Sequence, residues 1–177
     1  MTAYQAIDGT PCAADPWLLR TVLRDEWGFD GFVVTDWNDV GHMVVQQFTA
    51  ATYEEASKIA VEAGNDMIMS TPEFYEAAVR LVREGALDEA LVDDAVRRIL
   101  RFKFELGLFD HKRYPDLEAG AGVIACDEHR AAALDAARAS IVLLKNDGIL
   151  PLEANGKIAV IGPNADDMTA QLGDWVG

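Results

Sequence analysis

The chain is poor in cysteine and in basic residues, and it has no long apolar run. Its two cysteines, Cys12 and Cys126, are too few for a disulfide framework and do not stand at metal-ligand spacing. Lysine and arginine together number 15 against 30 aspartates and glutamates, a formal net charge of −15. That balance argues against nucleic acid and against an anionic membrane surface as partners. No apolar stretch approaches the ~20 residues of a membrane-spanning helix. The opening Met1-Thr2-Ala3-Tyr4 has neither the basic nor the apolar segment of a signal peptide. What is present suffices for a core, since half of the 177 residues are hydrophobic.

Helical and extended patterns alternate along the first two thirds of the chain. Residues 1–15, with Gly9 and Pro11, read as loop. Pro16 to Trp27 is predicted to be a helix, capped by Asp15, apolar at Leu18, Leu19, Val22 and Leu23, and ended by Gly28. Phe32 to Thr35 follows as a strand buried on both faces, because its apolar run shows no polar alternation. A helix over 54–63 stops at Gly64, and Asp66 to Met69 is a second short strand. Helices are expected over 73–84 and from Asp88 to Leu106, the latter with Gly107 as its left-handed stop. Residues 111–126 lose periodicity and read as a linker. An alanine-rich helix from Asp127 to Ala139 and strands at 141–144 and 157–161 complete the pattern. Helix, turn and buried strand in this order is an alternating α/β fold.

The chemistry concentrates where the first strand ends, at Thr35-Asp36-Trp37. A carboxylate there, followed at once by an indole, suits a sugar site. The carboxylate can attack or stabilise an anomeric centre, and the indole offers an apolar face to a pyranose ring. On spacing alone the same residues also fit a turn capped by Asp36 with Trp37 in the core.

The segment from Leu18 through Arg24-Asp25-Glu26-Trp27-Gly28-Phe29-Asp30-Gly31-Phe32-Val33-Val34-Thr35-Asp36-Trp37 resembles the nucleophile region of family 3 glycoside hydrolases, the β-glucosidase and β-xylosidase group. The resemblance extends to Ala63-Gly64-Asn65-Asp66-Met67-Ile68-Met69, to Lys103 through Asp110, and to Ser140 through Asp147 with Ile158 through Pro163. It implies that Asp36 is the catalytic nucleophile. It also implies that Tyr4, 32 residues earlier, sits beside Asp36 and bonds it, and that Trp37 packs on the sugar. Gln5 departs from the family's commoner Asn. Asp66 is read as structural.

As a fold, the resemblance implies the C-terminal part of a (β/α)8 barrel over 1–110, a linker over 111–126, and the start of an α/β sandwich over 127–177. The expected activity is that of a retaining exo-acting β-glycosidase on a carbohydrate substrate. The upstream substrate ligands, an Asp, an Arg and a Lys-His pair, have no match here, and no Glu here is assigned as the acid/base. The chain is therefore expected to be an internal piece, with Met1 an internal methionine, and secretion or periplasmic export is compatible with the resemblance. A non-catalytic sugar-binding piece, a glycoside phosphorylase and a β-N-acetylglucosaminidase are the other readings of the scaffold.

Rival chemistries are weaker. Asp36, Asp39 and His42 fall at i, i+3 and i+6, but no further ligand stands at metal spacing. Gly162-Pro163-Asn164-Ala165-Asp166 follows a strand pattern without the glycines or the Lys-Ser/Thr of a phosphate loop. Ser140 lacks a nucleophile elbow. No cofactor is expected. His42, His111 and His129 lie on or near loops and are expected to be exposed.

Overall fold

A computed structural model describes residues 1–112, 114–153 and 156–172. It is a helix-rich α/β arrangement that divides into two compact units, Met1–Tyr114 and Pro115–Gly177.

The first unit opens with a small antiparallel hairpin, β1 (Ala6–Ile7) and β2 (Thr10–Pro11), where the sequence reads as loop. Its turn is Asp8-Gly9, with φ of 49° and 84°, the pair of left-handed residues that a tight hairpin needs. A helix then spans Trp17–Glu26, as expected, but it is π-wound, with Trp27 N–H donating to Val22 O at 3.0 Å. The Asp15 carboxylate caps it, accepting from Trp17 N–H at 2.9 Å and Leu18 N–H at 3.2 Å. Leu19 on its inner face packs with Val33 and Ala63.

The strands expected at 32–35 and 66–69 are reduced to two extended segments that run parallel and share a single bridge, Val34 to Met67. Thr35 N–H donates to Met67 O at 2.9 Å and Met67 N–H to Val33 O at 3.0 Å. On the other edge, Thr2 N–H donates to Val34 O at 3.0 Å. The expectation of burial on both faces needs correction. Val33 and Thr35 are buried, whereas Val34 is half-buried and Met67 is 45% exposed. The face that carries Val34 and Met67 is therefore the less covered of the two.

Four α-helices complete the unit: α1 (Asp39–Val45), α2 (Tyr53–Ala63), α3 (Glu73–Arg83) and α4 (Glu89–Glu105). The first of these has no counterpart in the sequence reading. Thr52 caps α2 by accepting from Glu55 N–H at 3.2 Å, and Gly64, at φ 115°, ends it. Asp88 caps α4 through Ala90 N–H at 2.9 Å. The core is mostly small: Ala13, Val40, Met43, Ala50, Ala56 and Ala60 form one cluster between α1 and α2. Val61, Leu81 and Leu87 form another under α3 and α4. Small side chains let helix backbones approach closely, so much of the cohesion comes from contact density rather than from large apolar groups.

Asp66 ties this unit together. Its Oδ2 accepts from Arg24 Nη2 and from Val33 N–H, both at 2.7 Å, and its Oδ1 accepts from Arg98 Nη1 at 2.8 Å. The carboxylate is 2% exposed and joins the π helix, the extended segment at Val33 and α4. Burial lowers the pKa of Arg24, and the Asp66 charge opposes that shift.

The second unit contains α5 (Leu117–Val123), α6 (Asp127–Ser140) and α7 (Met168–Leu172). A short helix thus lies inside the stretch read as linker, capped by Asp116 through Glu118 and Ala119 N–H at 3.1 and 3.0 Å. The strands expected at 141–144 and 157–161 are not formed. Their apolar side chains face solvent, with Leu144 91% and Ile161 89% exposed. A strand is defined by its partner, and an apolar run without one stays irregular.

These surfaces carry a prediction for the 177-residue chain on its own. It should bind an apolar dye strongly and unfold without a sharp cooperative transition, because exposed apolar patches of this extent favour association. A cooperative melt from a monodisperse monomer with little dye binding would contradict this.

Candidate active site

The extended segment 33–35 delivers Asp36 at its C-terminal end, half-buried, and the chain then turns out to Trp37, which is 56% exposed. Trp37 N–H donates to Asp36 Oδ1 at 2.7 Å, which fixes one carboxylate oxygen against the backbone. Tyr4 reaches the same place from just before the β1–β2 hairpin. Its hydroxyl donates to Trp37 O at 2.7 Å, beside the Asp36 carboxylate. Desolvation raises the Tyr4 pKa and the negative charge of Asp36 raises it further, which keeps the phenol a donor.

The ring of Tyr4 rests on His42, with centroids 5.0 Å apart and planes at 44°. Gln47 Nε2 donates to Tyr4 O at 3.1 Å. Tyr4 is therefore held at its ring, its backbone and its hydroxyl. His42 differs from expectation: α1 carries it into a half-buried position, whereas His111 and His129 are exposed. Behind this layer Asp39 is fully buried, and its Oδ2 accepts from Thr2 Oγ1 at 2.9 Å. Burial raises its pKa.

The structure thus brings Tyr4, Asp36 and Trp37 together at one strand end. Asp66 stands apart from them in the ion-pair hub. No group of three or more His, Cys, Asp or Glu side chains forms a metal-binding cluster among the described residues, so Asp36, Asp39 and His42 are not gathered as ligands. Gly162 begins a turn that ends in the five-residue α7. Cys12 and Cys126 are free thiols. No described helix is long and apolar enough to cross a membrane. An apolar groove of about 450 Å³ lies between α3 and α4, lined by Phe74, Val79, Val82, Val92 and Val96 among others, but not by Tyr4, Asp36 or Trp37.

Residues that sequence reasoning passed over also shape the site. Thr35 is fully buried and accepts from Met69 N–H at 2.9 Å through Oγ1. Asn38 adopts a left-handed backbone, φ 52° and ψ 26°. Asparagine's tolerance of that region is the sequence signal that marks such a turn.

The site is thus a carboxylate at the end of a parallel-paired segment with an exposed aromatic side chain next to it. Comparison with known proteins gives the family. Residues 1–102 match the Glycosyl hydrolase family 3 N terminal domain and residues 141–177 match the Glycosyl hydrolase family 3 C-terminal domain. The chain belongs to glycosyl hydrolase family 3. It is 38% identical to a periplasmic beta-glucosidase of Salmonella typhimurium, over 99% of this chain and 23% of that relative. It is 39% identical to a beta-xylosidase of Formosa agariphila, over 99% of this chain and 25% of that protein. Among solved structures, a beta-glucosidase involved in saponin metabolism from intestinal bacteria superposes with a TM-score of 0.80 at 48% identity. That match covers 99% of this chain and 23% of the solved one. The chain spans about a quarter of the length of these relatives.

Proposed function

We propose that this chain is part of a retaining, exo-acting β-glycosidase of the β-glucosidase or β-xylosidase type, with Asp36 as its nucleophile. The observation that carries this reading is the trio at the strand end: the Asp36 carboxylate, the Tyr4 hydroxyl beside it, and the exposed Trp37 indole. The names of the family relatives support the substrate class. In the first step an Asp36 oxygen bonds to the anomeric carbon as the glycosidic C–O bond breaks. The leaving oxygen takes a proton from an acid that we assign to no residue of this chain. In the second step water, deprotonated by the same group, displaces Asp36 and releases the sugar. Tyr4 polarises and holds the nucleophile's surroundings, and Trp37 packs on the ring.

The domain reading goes with it. Residues 1–110 would be the C-terminal part of a (β/α)8 barrel, consistent with the parallel pairing at Val34 and Met67. Residues 111–126 would link it to the start of an α/β sandwich over 127–177, and the apolar runs at 141–144 and 157–161 would find strand partners there.

Tyr4→Phe, in the protein at its full natural length, tests the arrangement around Asp36. It removes one hydrogen bond beside a developing charge, and the expected loss in kcat is roughly tenfold to a hundredfold. KM should rise less than kcat falls, because the bond holds the Trp37 backbone beside the reacting carboxylate rather than the bound sugar. An unchanged kcat would return Tyr4 to an ordinary packing role.

A further inference from the structure

The Asp36-Trp37 dipeptide is a two-residue overhang whose flanks are both tied to Met69. On one side, Met69 N–H donates to Thr35 Oγ1 at 2.9 Å. On the other, Asn38 N–H donates to Met69 O at 2.9 Å. Asn38 then turns sharply in the left-handed region and leads into α1. Its side chain folds back to the neighbouring segment, where Oδ1 accepts from Thr71 Oγ1 at 3.1 Å. Gly41 makes the space for that fold: a Cβ there would lie 2.8 Å from Asn38 Cγ and 2.9 Å from Asn38 Nδ2.

We propose that Asn38 and Thr71, with Gly41 leaving room, form a clasp that sets the direction in which Asp36 leaves the strand end. Both are positioning residues; neither touches the sugar. The proposal rests on the reading of Asp36 as nucleophile. The physical argument is one of constraint. The strand itself is held elsewhere, by the Thr35–Met67 and Val33–Met67 backbone bonds, and α1 is held by the burial of Val40 and Met43. The short bridge between them is spanned by Asp39 N–H donating to Asp36 O at 3.2 Å and by the Tyr4 hydroxyl donating to Trp37 O at 2.7 Å, but neither bond holds the Asn38 side chain. The clasp closes the second end of that bridge, and it keeps Asn38 in a backbone conformation that non-glycine residues seldom adopt unaided. A nucleophile gains most from being held in an attack-ready geometry, and a displacement of about 1 Å can cost on the order of a hundredfold in rate.

The test is made in the protein at its full natural length, with a 2-deoxy-2-fluoro glycoside that traps the glycosyl-enzyme. Thr71→Val removes the hydroxyl at nearly constant volume, Gly41→Ala pushes the Asn38 amide aside, and Thr71→Ser keeps the hydroxyl. Thr71→Val and Gly41→Ala are expected to slow labelling of Asp36 about tenfold to a hundredfold. The reagent's half-saturating concentration and the unfolding temperature should change little, and Thr71→Ser should label at close to the parent rate. Unchanged labelling in both disruptive variants, with the label still on Asp36, would overturn the clasp alone. So would a loss that follows the unfolding temperature and is not rescued by serine, since a merely structural role behaves that way. A label on a different carboxylate in the parent protein would overturn the assignment of Asp36, and the clasp's purpose with it.

Discussion

Asp36→Asn, in the protein at its full natural length, should lower turnover of an aryl β-glycoside by several orders of magnitude while leaving the fold unchanged. The amide occupies nearly the volume of the carboxylate and can still accept from Trp37 N–H, the bond that the structure shows at 2.7 Å. What it lacks is the charge and nucleophilicity that form the glycosyl-enzyme. Without that intermediate the remaining groups can still orient the sugar, so binding should survive better than turnover. Near-normal turnover in Asp36→Asn would refute the nucleophile role. A loss of turnover that came with a loss of cooperative unfolding would say only that the strand end had collapsed.

The second large effect concerns stability. Asp66→Ala should destabilise the first unit by about 3–5 kcal/mol, the cost of removing one partner from a buried ion pair. Two guanidinium groups lose their acceptor together, Arg24 at 2.7 Å and Arg98 at 2.8 Å. Val33 N–H loses its acceptor as well. Their side chains are 14% and 29% exposed, so water can reach Arg98 more readily than Arg24, and the upper end of that range applies only if Arg24 stays dry. Urea unfolding of the parent and variant, each in the protein at its full natural length, would measure the difference. A change below about 1 kcal/mol would mean that the triad's desolvation cancels its attraction, as can happen when ion pairs are buried.

How much of this was legible in the sequence differs from element to element. Periodicity places α2, α3 and α4 within a residue or two, because their apolar stripes are regular and their caps, Asp88 and Gly64, are of the expected types. Periodicity cannot tell a π-wound helix from an α-helix over only ten residues, so the winding at Trp17–Glu26 is not visible in advance. The β1–β2 hairpin was legible in principle from Asp8-Gly9, a strong two-residue turn signal that the surrounding loop-like composition obscures. Helix α1 is hidden because Gly41 and the β-branched Val40, Val44 and Val45 make a poor helix former; burial of Val40 and Met43 outweighs that propensity. The apolar runs at 141–144 and 157–161 carry strand propensity, but pairing is a property of two segments, and no partner lies among the described residues.

The site divides in the same way. An abrupt stop of a buried strand at Asp36-Trp37 is a local feature and can be read from the chain. The approach of Tyr4 across 33 positions is not local; the family resemblance implied a bond to Asp36, whereas the hydroxyl donates to the neighbouring Trp37 O. The bond between Thr71 and Asn38, also 33 positions apart, had no such pointer. Contacts made at this separation depend on how two strands and their loops align in space, which composition and spacing do not encode.

Peptide mapping after trapping tests the central claim most directly. The protein at its full natural length is incubated with 2-deoxy-2-fluoro-β-glucosyl and β-xylosyl reagents, digested, and the modified peptide is fragmented by mass spectrometry. The account predicts one sugar adduct per protein molecule, on the peptide that contains Thr35-Asp36-Trp37, with the added mass on Asp36 and none in an Asp36→Asn control. An adduct on any other carboxylate, with the Asp36 peptide recovered unmodified, would contradict it.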